Sequence, residues 1–442
     1  SWWNQAFEAA GYKDAFQIKV LPEGADPLDI RYNVVQWVHR STRGWSYGMS
    51  VVDPRTGEIL KGHVSLGSLR IRQDYLIAQS LLGATDKTGK ENELLQFALG
   101  RIRQLSAHEI GHTLGFTHNF AASVNNRASV MDYPHPYIKL VNDKIDVSEA
   151  YDTGIGAWDK VTVAYSYKDF SEGVNEDIEL NNIIKKAIDK GLHFISDSDS
   201  RASGGAHINA HLWDNGENAA TELERVLKVR ETAINNFSEA NIHTKEPYSA
   251  LEDVFVPLYF FHRYQAEAAA KMIGGMEYTY AVKGDGQIVS KAVDPKVEKA
   301  ALISILKAMD ANTLAIPKHI VDLFPPRAPN YGRSRESFSS KNGVAFDALH
   351  AASTATEFVL NFLLHPERAS RMIQQKAFNS EQLGFDELIN TLIDNSIKKE
   401  KKDAYLIEIQ QNINSVMVQN ILALSVNDRI SFQAKSILVS KI

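Results

Sequence analysis

His108-Glu109-Ile110-Gly111-His112-Thr113-Leu114-Gly115-Phe116-Thr117-His118 is the run from which the rest of the chain is read. An α-helix turns about 100° per residue, so His108 and His112 stand one turn apart on one face and can share a tetrahedral ion. Glu109 falls on the adjacent strip, within reach of a water on that ion. Gly115 enters the left-handed region without steric penalty and is therefore a natural helix terminator. The chain can turn there and bring His118 back as a third ligand. Three protein ligands leave a fourth position open, the pattern of a catalytic rather than a structural zinc site. A buried helix with incidental histidines would need a separate reason for each of these five positions.

Downstream lies Ser129-Val130-Met131-Asp132-Tyr133. The two segments together resemble the metzincin clan of zinc endopeptidases. The resemblance implies that Met131 sits on a tight turn beneath the ligands and that Tyr133 stands near the zinc. More narrowly, the chain resembles the catalytic part of large secreted or envelope-associated bacterial metzincin proteins, common in Bacteroidetes. The runs that carry this include Asp53-Pro54-Arg55-Thr56-Gly57-Glu58, Ala210-His211-Leu212-Trp213-Asp214-Asn215-Gly216, Val256-Pro257-Leu258-Tyr259-Phe260-Phe261-His262, Phe324-Pro325-Pro326-Arg327 and Leu364-His365-Pro366-Glu367-Arg368. The narrower resemblance spans nearly the whole chain, whereas the clan motif covers only residues 108–133. It implies a protein or peptide substrate and a secreted, periplasmic or outer-envelope location. The opening Ser1-Trp2-Trp3-Asn4 reads as the middle of a protein, with no signal peptide, so N-terminal pro- or accessory domains are expected outside this sequence.

Composition bounds the rest. At 442 residues the chain can bury a large core and hold two or three domains. The net charge is −6 and no Lys/Arg block is long enough to make a stripe, so no nucleic-acid partner is expected. The densest basic run, Lys398-Lys399-Glu400-Lys401-Lys402, is broken by a glutamate and reads as a solvated linker. There is no cysteine, hence no disulfide framework. No apolar run is long enough for a transmembrane segment.

The pattern along the chain is α+β. Residues 2–10 read as a helix, 29–38 as a central strand, and 49–53, 58–60 and 62–67 as further strands. The long active-site helix is expected over 91–115 and another over 158–165. Together these make a metzincin-like catalytic domain over residues 1–170, with a twisted mixed sheet, active-site helix and Met-turn. Residues 171–442 read as a mostly α-helical C-terminal domain. Its helices are expected at 176–190, 217–237, 250–273, 295–310, 345–364, 367–377 and 403–425, with one β-hairpin near 277–290 around a Gly-rich turn. Residues 322–343 read as a long surface loop, whose Arg327, Arg333 and Arg335 are expected in solvent.

A second cluster of polar residues has two readings. His207 and His211 stand four apart, with Asp197, Asp199, Asp214 and Glu217 around them, like half of an additional Ca2+ or second metal site. They lack the regular spacing of a calcium loop, so the preferred reading is a polar loop with capping and turn roles. His135, just past the Met-turn, suits a surface position or contact with substrate.

The chemistry expected is hydrolysis of an internal peptide bond, with zinc on His108, His112 and His118 and with Glu109 as general base. Tyr133 is an additional donor to the oxyanion, on the strength of the resemblance. Substrate is expected to lie along the strand at Val64–Leu69, adding to a sheet edge. Two other readings are a non-catalytic zinc-containing binding or adhesion module and a zinc amidohydrolase. Intact Glu109 argues against the first.

Overall fold

The computed structural model describes residues 2–40, 45–84 and 90–441. Its first part comprises α1 (Trp2–Ala9), β1 (Val34–Val38), β2 (Tyr47–Val52), β3 (Ile59–Gly67), α2 (Leu69–Leu82) and α3 (Lys90–Thr113). A small hairpin, β4 (Lys139–Val141) with β5 (Lys144–Asp146), and α4 (Ala157–Tyr167) follow. The long helix forms because Leu94, Phe97, Ala98, Leu105 and Ile110 recur at helical spacing and all are buried. It stops where the sequence says it should. Gly115 has φ +91°, the Phe116 N–H donates to the Gly111 carbonyl (3.1 Å) and the Gly115 N–H to the His112 carbonyl (3.0 Å). That is a Schellman ending, with glycine in the left-handed position it requires.

The sheet departs from expectation in arrangement. Its order is β1-β3-β2, with β1 parallel and β2 antiparallel to β3. The expected strands at 58–60 and 62–67 are one strand, and it is the central one. Gly62 does not break it; the glycine lets β3 pass close to Thr113 of α3. The expected central strand at 29–38 is instead an edge that begins at Val34. Residues before it are tied down as a loop: Lys61 Nζ donates to the carbonyls of Pro27, Asp29 and Tyr32, and Asn33 Oδ1 accepts the Gly62 N–H. A β-branched run identifies a strand but not its neighbours. The expected substrate edge at Val64–Leu69 is also corrected, since β3 is paired on both sides and Leu69 already opens α2.

The rest is helical: α5 (Glu176–Asp189), α6 (Asp197–Ser200), α7 (Ala219–Asn236), α8 (Leu251–Tyr259), α9 (Arg263–Ala270), α10 (Pro295–Ala308), α11 (Ala311–Leu314), α12 (Lys318–Val321), α13 (Ala348–Leu363), α14 (Pro366–Phe378), α15 (Phe385–Asn395), α16 (Ala404–Ser425) and α17 (Phe432–Val439). The expected helix at 250–273 is divided in two. Pro257 lies within α8, which ends two residues later, and α9 restarts at Arg263. The hairpin pairs β6 (Met276–Tyr278) with β7 (Ser290–Ala292), at the outer ends of the expected strands. No single helix among the described residues is long and apolar enough to cross a membrane.

Three large apolar clusters hold these parts together, and a small fourth joins Phe120 and Ala121 to Ile195 and Ala210. One packs Trp3, Phe7, Val64, Leu105, Ile110, Phe116, Met131 and Val163, so α1, β3 and α4 all close on the active-site helix. A second runs from Ala78, Leu94 and Phe97 to Val226, Phe255, Leu258 and Ile413. Helices before and after residue 170 therefore share a core. The third joins α9, α10 and α13 to the C-terminal helices. The loop at 322–343 is pinned rather than free. Arg327, with only 10 % of its side chain exposed, pairs with Asp253 (2.9 Å) and Glu252 (3.1 Å), and Glu336 holds Arg72 and Gln73 of α2. Arg327 is thus a half-buried strut, which corrects its expected place in solvent.

Candidate metal centre

His108 and His112 come from one face of α3, and His118 from the segment that Gly115 turns back. Among the described residues these three form the one group of potential ligands that converges, their donor atoms lying within 4.8 Å of one another. Their tautomers are decided by what the other nitrogen does. His108 Nδ1 meets the Val130 carbonyl at 2.7 Å, His112 Nδ1 the Phe116 carbonyl at 2.8 Å, and His118 Nδ1 the Asp197 carboxylate at 2.8 Å. These oxygens can only accept, so each Nδ1 carries the proton and each Nε2 keeps a lone pair. The Nε2 atoms of His108 and His112 are 3.1 Å apart, and His118 Nε2 is buried without a hydrogen-bond partner. Three lone pairs facing one point, with nothing in the protein to satisfy them, fit a zinc ion. Burial lowers the pKa of all three imidazoles, which keeps them in the neutral form a metal requires.

Glu109 is 5 % exposed. Burial pushes its carboxyl up to about 7, against the opposing pull of Arg101 and of the Gly48 N–H, which donates to it. Gly48 is on β2, and a side chain there would overlap the Glu109 carbonyl oxygen. Glycine is what allows the strand to run this close to the helix. The helix's own Gly111 has the same use on the opposite side, where a Cβ would meet the Met131 sulfur and the Trp3 ring. A mid-helix glycine costs about 1 kcal/mol relative to alanine, and close packing against Met131 and Trp3 offsets it.

Met131 is 2 % exposed and packs with Trp3, Ile110 and Phe116, its sulfur against Gly111 of α3. Its turn is held by Asp159, at the start of α4. One Asp159 oxygen accepts the Ser129 hydroxyl (2.6 Å), while the other accepts the N–H groups of Val130 (2.9 Å) and Gly156 (2.8 Å). Met131→Leu is expected to keep the zinc and to cost less than about 1.5 kcal/mol, because volume is conserved. Metal analysis and thermal melting check this. Metal loss in a folded variant would mean that the sulfur does more than pack.

Tyr133 stands with its ring 5.1 Å from that of His108 and 4.9 Å from that of His118. Burial raises its phenol pKa, with Arg201 opposing and Glu109 adding to the rise. Its hydroxyl accepts a bond from Arg201 Nη2 at 3.3 Å. Trp213 stacks behind it at 5.0 Å, donates its backbone N–H to the Tyr133 carbonyl (2.9 Å), and adopts φ +66° to do so. Left-handed backbone is strained for an aromatic residue and is held here by the stacking, with the Arg70 and Arg101 guanidinium groups also over the Trp213 ring.

The residues of the second candidate site do not gather. His207 is occupied by the Tyr278 carbonyl (2.7 Å) and the Asn209 N–H. Asp199 accepts the hydroxyls of Tyr278 and Tyr280, Asp214 accepts that of Ser123 (3.1 Å), and Glu217 is exposed. His211 is buried 3.5 Å from Glu267. Asp197 is instead part of the histidine site. His135 is packed against Phe261 and Tyr264. Sequence reasoning missed Gly48, Asp159 and Arg201 altogether, and gave Asp197 to another site. No local motif marks them, because each acts on a segment distant in the chain: Asp159 on the Met-turn, Gly48 on α3, and Asp197 and Arg201 on His118 and Tyr133.

A family model described as Met-zincin matches residues 90–404. No curated protein matches the chain, and no solved structure does.

Proposed function

The chain belongs to the Met-zincin family and is a zinc metallopeptidase; from that premise we propose that it is an endopeptidase with Glu109 as its general base. The observation that carries the reading is geometric: three histidines fixed by their Nδ1 atoms, their Nε2 atoms converging, with the buried Glu109 beside them. When bound by His108, His112 and His118, zinc supplies Lewis acidity, lowering the pKa of a water to roughly 7 and polarising a carbonyl.

The remaining steps belong to the protein. Glu109, buried beside the ligands, takes a proton from the attacking water and passes it to the departing amine. The Gly48 N–H holds the carboxylate in place between the two transfers. The Tyr133 hydroxyl donates to the carbonyl oxygen as negative charge develops there. The strand suited to receive an extended peptide is β2, the antiparallel edge of the sheet, which passes Glu109 at Gly48. A peptide lying there passes the metal without needing a free terminus, which favours internal cleavage.

The test is digestion of an unfolded protein such as casein by the purified chain, with the new termini read by mass spectrometry. Internal cuts that cease with a chelator support the proposal. Release of terminal residues alone would make it an exopeptidase. Turnover of small amides but not peptides would make it an amidohydrolase, and metal binding without turnover a non-catalytic module.

A further inference from the structure

One turn of helix, α6, reaches the metal centre from 79 residues beyond its last ligand. Asp197 opens the turn and Arg201 follows it. Asp197 Oδ2 accepts the His118 Nδ1–H at 2.8 Å, and its Oδ1 accepts the Arg201 Nε–H. Arg201 Nη2 goes on to donate to the Tyr133 hydroxyl at 3.3 Å. The guanidinium also lies over the Tyr133 and Phe120 rings, at 5.3 and 5.1 Å. The backbone beneath is fastened too, since the Phe120 N–H donates to the Ile195 carbonyl at 2.8 Å and the Ser200 hydroxyl to the Ser196 carbonyl at 2.8 Å.

Resting on the peptidase reading above, we infer that Asp197 and Arg201 are positioning residues that hold the third zinc ligand and the oxyanion donor in register with each other. The chemistry of the chain of contacts requires it. Asp197 is the one charged partner among the three Nδ1 acceptors; His108 and His112 rest on neutral carbonyls. A carboxylate fixes the tautomer and raises the basicity of the ring as a metal ligand. Arg201 ties that carboxylate to Tyr133 through two different nitrogens of one rigid fork, so a shift of either end is felt at the other. Both side chains are more than 40 % exposed, where an ion pair alone contributes little to stability. Their use is therefore geometric. It also makes a segment outside the clan motif part of the active centre.

The test uses the full chain and begins without substrate. Zinc affinity is measured by competition with a chromophoric chelator. Asp197→Asn, whose amide can donate to Nδ1 and impose the wrong tautomer, is expected to weaken zinc binding roughly 10–100-fold in a folded protein. Arg201→Gln is expected to weaken it less and to lower kcat with KM nearly unchanged. That loss should vanish when Tyr133 is already phenylalanine, because the arginine then has no hydroxyl to hold. Unchanged zinc affinity in a folded Asp197→Asn overturns the inference at its first link. An Arg201→Gln effect of equal size in both backgrounds overturns it at the second. The affinity arm needs no turnover, so failure of the peptidase reading would not be mistaken for failure of this one.

Discussion

Glu109→Gln is expected to lower kcat by about 10²–10⁴-fold while zinc remains bound. Glutamine keeps the shape of the side chain and can still accept the Gly48 N–H. What it lacks is a site that takes and returns a proton. None of the three Nδ1 contacts that orient the histidines involves Glu109, so the ligand set should be unaffected. The assay is casein cleavage alongside elemental analysis. Near-normal turnover by a zinc-loaded variant would remove Glu109 from the mechanism, and joint loss of zinc and activity would point to a ligand or folding role instead.

Removal of the metal should have the larger effect. Dialysis against a chelator is expected to abolish cleavage, and about one equivalent of zinc per chain should restore it. The apo-protein should also melt earlier. An ion that binds only the folded state adds about 4 kcal/mol when free zinc is roughly 1,000-fold above its dissociation constant. In its absence one buried and two half-buried imidazoles face one another, one of them with an Nε2 that has no hydrogen-bond partner. A chain that cleaves at full rate with under about a tenth of an equivalent of any transition metal would contradict the zinc assignment outright.

The residues that support the site come from both sides of the expected domain division at residue 170. That division falls between His118 and the Asp197 that holds it, and between Tyr133 and the Trp213 stacked behind it. The apolar cluster shared by α2, α3, α7 and α8 spans it as well. The active-site helix is therefore supported by α1, β3 and α4 from the first part of the chain and by α7 and α8 from the helical part.

What the sequence determined by itself was local. The ligand triad, the neighbouring glutamate and the helix stop at Gly115 follow from spacing along one helix and from the conformational freedom of one glycine. Most of the longer helices from 176 to 425 could be read because apolar residues recurring every three to four positions line one face of a helix, but α15 (Phe385–Asn395) was not expected and the break between α8 and α9 was missed. Tertiary structure alone decided what depends on partners. A β-branched run at 34–38 has the composition of a strand whether central or at an edge, and only its pairing on one side, with β3, made it an edge. Likewise Asp197 looks like any surface aspartate until packing brings it to 2.8 Å from His118. Helical periodicity is written into consecutive residues, whereas strand order and the orientation of a ligand's far nitrogen depend on segments that meet only when the whole core closes.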